Sequence, residues 1–445
     1  MKKALFFLGS NFVFLFLLFF IFNSDQSYSA EKSTLYAGVS KVNITPKTPI
    51  PIAWHAGKNM VYKGIHDEVF IRAIVFSDGK TKAALITADA SEFSSSFDDE
   101  VFKRIEKEVG ILQDNILISA TNTHSGPTNI YSGMDYTKST LPEVKTYSDG
   151  LKEKILEAVK EADKKLKPAS IGTGRGECKM NINRRAPLPP NGYPWLGKNP
   201  DGSCDHEVIV LRINDENGNV MAVFINWPCQ GAVMGASSNL LTGDWLGATS
   251  LFIEKEFQHN VVALVTAGAS GDINPLFGPE GTSFGTRSTS SDTYGYLLGK
   301  EVLRILKDIK TSPYGEISGS RRSMKLPGKL STRDMPGITF EETMKLKPGS
   351  FKPGPDLEVR LSAVKVGNTI FAGISGDVFH EIGLKIKEMS PYKNTFIVTH
   401  TNGWCGYIVT EKSYNEGGYE VVSTRIMSGG EKAVIENLID MIEKF

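Results

Sequence analysis

Cysteine is scarce and badly spaced for metal: Cys178, Cys204, Cys229 and Cys405 are the only four, and none stands in a Cys-x-x-Cys pair. That spacing excludes a zinc ribbon. An excess of either charge is also missing. Lysine plus arginine number 50 and aspartate plus glutamate number 50, so no field gathers nucleic acid or an anionic surface. The seven histidines form no His-Glu-x-x-His, and no internal repeat is visible. Long apolar runs are absent with one exception. Ala4 to Phe22 is broken only by Gly9, Ser10 and Asn11, after a basic start at Lys2 and Lys3 and before the small residues of Ser27-Tyr-Ser-Ala30. Residues 1–30 therefore read as a secretory signal peptide, with an uncleaved membrane anchor as the alternative. Both imply export, and the anchor would bring membrane association. Export permits a disulfide, for which Cys178 and Cys204 are candidates; reduced thiols stay equally open.

Residues 31–445 are long enough for a large core. Short runs rich in Val, Ile and Phe, bounded by Gly, Asp, Asn or Pro, predict strands at 69–77, 83–89, 115–121, 207–213, 220–226, 261–266, 358–366, 369–374 and 395–400. Helices interleave. Residues 151–167 place Leu151, Ile155, Val159, Ala162 and Leu166 on one face, with Ser148 and Asp149 as a start signal. The ranges 294–309 and 431–445 repeat the pattern. The expectation is an α/β protein of mixed β-sheets flanked by helices, in a single large domain. Residues 186–204, rich in Pro and Gly, and the polar 278–292 read as long loops.

Five strand-like runs end in polar knots: Asn122-Thr-His-Ser-Gly126, Trp227-Pro-Cys-Gln-Gly231, Ser270-Gly-Asp-Ile-Asn-Pro275, Ser375-Gly-Asp377 and Thr401-Asn-Gly-Trp-Cys-Gly-Tyr407. Loops at strand ends are where a rigid scaffold presents chemistry, so the five predict one composite site. His124 beside a stiff Ser-Gly-Pro turn is a candidate acid, base or metal ligand, or else a turn histidine. Asp272 is a candidate carboxylate or a turn cap. Asp377 and Glu381 would share a face if 378–387 is helical. Arg184 and Arg185 suit an anion or a polarised carbonyl, or surface pairing. Trp195, Trp227 and Trp404 would rim a pocket for a sugar or an amphiphile.

Together the motifs resemble the neutral (non-lysosomal) ceramidase family. Tyr36-Ala-Gly-Val-Ser-Lys-Val-Asn-Ile-Thr-Pro46 resembles its opening, and Thr121-Asn-Thr-His-Ser-Gly-Pro127 its Thr-His-Thr-His-Ser-Gly-Pro. Asn226-Trp-Pro-Cys-Gln230 resembles Asn-Trp-x-x-His, Gly271-Asp-Ile-Asn-Pro275 resembles Gly-Asp-Val-Ser-Pro, and Asn402 to Tyr419 resembles the tyrosine-rich segment near the end. The likeness runs over nearly all of 36–445, leaving no room for the family's C-terminal immunoglobulin-like domain. It implies a ceramide amidase whose zinc is held by two His, a Glu and a Tyr. Those ligands fall on Asn122, Gln230, Asp377 and Tyr407, and the family's serine falls on Asn274. His124, Arg184 and Tyr419 match residues around the substrate, and Asp272 lies within the matching Gly-Asp motif.

The replacements have a chemical direction. Zinc favours imidazole and thiolate, whereas amide, carboxylate and phenol oxygens suit calcium or magnesium. One carboxylate among four donors needs help from Asp272 or Asp89. Alternatively no metal binds, and His124, Asp272, Asp377 and the tyrosines act directly. The resulting expectation is an exported hydrolase of an amide, ester or glycosidic bond in a lipid- or sugar-containing small molecule. In it His124 is the base, Asp377 or Asp272 an assisting carboxylate, and Arg184 and Tyr419 stabilise charge. A homologue that only binds lipid or glycan at the cell surface is the competing expectation.

Overall fold

Strands apolar on both faces must be covered on both sides. Phe70–Ser77 and Ile116–Ala120 are buried along their whole length. They belong to an eight-stranded mixed sheet in the order Val262–Ala267, Val220–Trp227, Glu207–Asp215, Lys167–Glu177, Tyr36–Asn43, Phe70–Ser77, Lys82–Ala88 and Ile116–Ala120. Both edge pairs are parallel and the interior is antiparallel. A second sheet orders Ile317–Lys329, Pro353–Val366, Thr369–Ile374 and Asn394–Val398, its last pair also parallel. The computed structural model describes residues 34–53, 61–129, 141–188, 193–235, 238–277, 290–330 and 351–445, with Glu342 and Leu346.

The sheets pack face to face. Ile74, Phe76, Leu85, Leu117 and Phe224 of the first meet Val364, Phe371 and Phe396 of the second, and Phe224 stands edge-on to Phe371 and Phe396 at 5.1 and 5.6 Å. Helices Ser95–Val109 and Pro142–Lys164 cover one half of the first sheet's outer face. Helices Asp244–Glu256 and Ser291–Asp308 cover the other half. Helices His380–Met389 and Gly430–Ile442 back the second sheet. Ser33–Phe445 is one compact unit, as expected. Residues 1–30, read as signal or anchor, lie outside the described residues.

Several local expectations need correction. The helix predicted at 151–167 begins at Pro142 and ends at Lys164, so Ser148 and Asp149 lie inside it. Pro at the first turn is the real start signal. The expected loop 186–204 contains a hairpin instead, Asn181–Leu188 paired with Tyr193–Asn199. Asp377 lies in a two-residue strand before the helix at His380, so it shares no helix face with Glu381. Of the loop expected at 278–292, residues 278–289 lie outside the described residues, and a helix starts at Ser291.

Strand Lys167–Glu177 escaped sequence reading because glycine is a poor strand former. Here alternate glycines let helix Ser291–Asp308 and the segment after it press onto the sheet. A Cβ at Gly172 would come 2.1 Å from the Lys310 carbonyl oxygen, and one at Gly176 would come 2.0 Å from the Glu301 carboxylate.

Candidate active site

All five predicted loops meet. Asn122 follows strand Ile116–Ala120 in a left-handed conformation (φ 54°), one that Asn tolerates better than most residues. Gly231 makes the approach possible, since a Cβ there would lie 2.7 Å from the Asn122 carbonyl oxygen. Asn122 Nδ2 donates to Gln230 Oε1 at 2.9 Å, and Gln230 Nε2 donates to Asp377 Oδ2 at 2.5 Å and to the Ser270 carbonyl at 3.0 Å. Asp377 in turn pairs with Tyr407 in a two-residue parallel ladder. The two amides and the carboxylate of this chain are all buried.

Arg184 closes the other side. Fully buried on strand Asn181–Leu188, it gives Nε to Glu420 Oε1 (2.7 Å), Nη1 to Asn274 Oδ1 (3.2 Å) and Nη2 to Tyr407 Oη (3.1 Å). Its guanidinium also lies 5.4 Å from the Tyr407 ring and 5.9 Å from the Tyr419 ring. Trp195 meets Tyr419 edge-on at 5.6 Å. Burial opposes the charge of Arg184, but Tyr407, Glu420 and Asp377 outweigh it and raise its pKa. Burial pushes the Tyr407 phenol well up despite Arg184, so it keeps its proton. His124, held by its backbone N–H to the Gly231 carbonyl, is pushed down to about 3 by burial and then by Arg184. It is a neutral imidazole at ordinary pH.

Several buried atoms here have no hydrogen-bond partner among the described residues: Asn122 Oδ1, Asp377 Oδ1 and both ring nitrogens of His400. His400 Nε2 lies 3.7 Å from Asp377 Oδ1, and the ring stacks on Trp404 with centroids 4.8 Å apart. Leaving such groups unmet costs about 1–3 kcal/mol each. Their convergence marks a place built for a ligand or water.

A model of the N-terminal domain of neutral/alkaline non-lysosomal ceramidases matches residues 36–293, more than half of the chain. The chain belongs to this family of hydrolases. Neutral ceramidase of Drosophila melanogaster is 28% identical over 268 residues, covering 56% of this chain and 37% of that one. Neutral ceramidase B of Dictyostelium discoideum is 27% identical over 282 residues, 60% of this chain and 39% of the relative. The chain thus spans under two fifths of the curated relatives it matches. The crystal structure of neutral ceramidase from Pseudomonas aeruginosa superposes with a TM-score of 0.76 at 17% identity, over 93% of this chain and 74% of that one. That likeness is one of fold.

A ceramidase-type zinc does not fit the residues present. Gln230 offers Asp377 an N–H where a metal would need both as electron-pair donors, and the Tyr407 oxygen faces the Arg184 cation. A hard cation fares little better. Of the four predicted donors, only Asn122 and Asp377 keep an uncommitted oxygen among the described residues, against the six to eight oxygens calcium takes. Neither proposed helper joins them: Asp89 Oδ2 accepts from Arg72 and the Phe70 amide, and Asp272 is held by His380. Among the described residues, no three His, Cys, Asp or Glu side chains gather as a metal site.

Two other expectations change. Asp272 leaves the crevice because it sits in the turn before the short strand Ile273–Pro275: Asn274, in the strand, reaches Arg184, whereas Asp272 accepts from the His380 amide at 2.9 Å and its Nδ1 at 2.7 Å. Trp227 rims nothing; it is buried against Trp245 and Tyr294. The four cysteines are free thiols.

His400 and Glu420 were not found from sequence. His400 lies two residues past strand Asn394–Val398, the same strand-end signal that picked out His124. Glu420 has no such signal. It is buried because two arginines, Arg184 and Arg185, both point to it.

Proposed function

We propose that this protein is an exported hydrolase that cleaves an amide bond, or an ester or glycosidic one, in a lipid- or sugar-containing substrate, by a route altered from that of a ceramidase zinc site. The observation that carries the reading is the buried Arg184, held between Glu420, Asn274 and the protonated Tyr407, whose backbone pairs with that of Asp377, a residue with an unmet oxygen. A fixed guanidinium with a phenol O–H beside it is a pair of donors for a developing oxyanion. His124, with its depressed pKa, is a poor base and serves as a neutral hydrogen-bonding group. Proton acceptance from an attacking water falls instead to Asp377 Oδ1 and the adjacent His400. Asn274 holds Arg184 and makes no nucleophile. The family's amide chemistry supports the bond type, and the apolar stretch at Ala4 to Phe22 supports export.

The test is turnover of a fluorogenic N-acyl amide, with and without a strong chelator, by wild-type protein and by the Arg184→Met and His400→Gln variants, each checked for folding by its melting curve. Turnover should persist in chelator and fall roughly hundredfold or more in Arg184→Met. Loss of all turnover to the chelator overturns the route. Absence of turnover on amide, ester and glycoside probes alike overturns the enzyme and leaves a lipid- or glycan-binding protein.

A further inference from the structure

Arg184 and Arg185 are neighbours on one strand and both reach Glu420, but they border different spaces. Arg184 enters the crevice; Arg185 lines a separate pocket of about 310 Å³ with Phe379, Pro194, Lys412 and Glu416. In this pocket three residues from distant parts of the chain fall in line. Ser203 Oγ lies 2.9 Å from His380 Nε2, and His380 Nδ1 lies 2.7 Å from Asp272 Oδ2. Ser203 is exposed, while His380 and Asp272 are 1% and 2% exposed. An accessible hydroxyl, a buried imidazole and a more deeply held carboxylate, in that order, are the parts of an activated serine.

The supports are fixed independently of the three. Asn183 Nδ2 donates to the Ser203 carbonyl at 3.0 Å, and Asp205 is held by Lys387 at 2.6 Å, pinning the chain on both sides of the serine. Gly202 is required beside it, as a Cβ there would lie 2.7 Å from Asn183 and Asn199 side-chain atoms. The second oxygen of Asp272 accepts the His380 amide, which fixes the carboxylate's orientation. Glu381 Oε1 also approaches Ser203 Oγ at 3.4 Å, and Lys412 neutralises it at 2.7 Å.

We propose that Ser203, His380 and Asp272 form a second hydrolytic centre, distinct from the crevice, in which Ser203 is the nucleophile toward small short-acyl esters. The pocket is at the small end of ligand sites, and its mixed lining of Phe379 and Pro194 with Arg185 and Lys412 suits a short acyl chain and the charge of an oxyanion. Ser203 Oγ bonds to the ester carbonyl carbon as its proton passes to His380 Nε2. The carbon–oxygen bond to the leaving alcohol then breaks, and the alcohol takes that proton. Water repeats the sequence on the acyl-serine, giving its proton to His380 and releasing the acid as Ser203 recovers the proton. Asp272 is the positioning residue.

The groups facing His380 are the carboxylates of Asp272, Glu381 and Asp205, with Arg185, Lys387 and Lys412 behind them. Burial lowers the imidazole's pKa, and Asp272 more than reverses this. The experiment is treatment of the full chain with a fluorophosphonate, mapping the adduct by mass spectrometry, together with p-nitrophenyl acetate kinetics. An adduct on Ser203 should form, slow roughly hundredfold or more in His380→Gln, and speed up as pH rises through the His380 titration. Asp272→Asn should move that midpoint to lower pH. An intact, folded wild-type protein that takes no adduct at Ser203 overturns the proposal. So does an adduct whose rate ignores pH, since a merely structural Ser203–His380 contact would leave the hydroxyl unactivated. The adduct is read without reference to amide turnover, so this centre and the crevice fail or stand separately.

Discussion

His124 in the crevice and His380 in the adjacent pocket are both buried imidazoles, yet they are driven in opposite directions. Burial lowers both. At His124 the next influence is the Arg184 cation, which lowers it further, and the pull of Asp377 is too weak to recover it, so it rests near 3. At His380 the Asp272 carboxylate supplies both charge and a hydrogen bond, and the imidazole ends above its ordinary value. The contrast shows that, with burial lowering both, the neighbouring charge decides the final direction. A histidine beside a cation stays neutral and polarises; one locked to a carboxylate becomes a base.

The largest expected effect of this contrast is on acid stability. For His124 the folded pKa lies below the unfolded value of 6.5, so as pH falls the unfolded chain takes the proton first. Stability is lost from about pH 6.5 down to about 3, at roughly 1.4 kcal/mol per unit and roughly 5 kcal/mol in all. The His380 contribution has the opposite sign, present below its unfolded pKa and lost as pH rises through its raised folded value. Urea melts at pH 7 and 4.5 should show His124→Gln losing about 3 kcal/mol less than wild type over that interval. Identical acid slopes would remove the contrast.

Next comes the residue both regions share. Glu420 gives one oxygen to Arg184 and the other to Arg185. Glu420→Gln leaves buried guanidinium charge uncompensated, and breaking such a pair costs about 3–5 kcal/mol. Denaturant unfolding should show that loss, with both Tyr407 and the pocket loosened; a change under about 1 kcal/mol would mean the two regions are not joined through it.

How much of this was legible beforehand follows from what each feature depends on. Strands such as Phe70–Ser77 announce themselves because burial on both faces demands an apolar run. Lys167–Glu177 does not, because its glycines answer to a helix far along the chain. Asn122, Gln230 and Asp377 were readable as one site because each follows a strand end, where a packed sheet presents its loops. Ser203 and His380 were unreadable as a pair, being 177 residues apart, with Ser203 in a stretch predicted to be loop and His380 at a helix start. Only the fold sets them 2.9 Å apart.

The third effect comes from restoring the imidazoles. Asn122→His with Gln230→His would set two His beside Asp377 and Tyr407, the donor types zinc prefers. Zinc at a hundredfold excess over its Kd should then stabilise the double variant by about 2.7 kcal/mol, a shift absent from wild type. Equal zinc response in both proteins would show that the wild-type amides already hold the metal, contrary to the Gln230–Asp377 hydrogen bond.

The smallest effect separates two ways of holding an imidazole. His380 is oriented by a carboxylate at 2.7 Å, whereas His400 stands 3.7 Å from Asp377 and is stacked on Trp404 at an interplanar angle of 13°. Trp404→Leu removes the stack while leaving an apolar side chain of smaller size. Ring stacking of this kind is worth about 0.5–1.5 kcal/mol, so stability should fall by that amount. The more telling readout is amide turnover, where kcat should drop several-fold with KM little changed, because His400 then points at Asp377 only part of the time. If kcat is untouched while stability falls, Trp404 serves packing alone, and the proton-accepting role passes to Asp377 without His400.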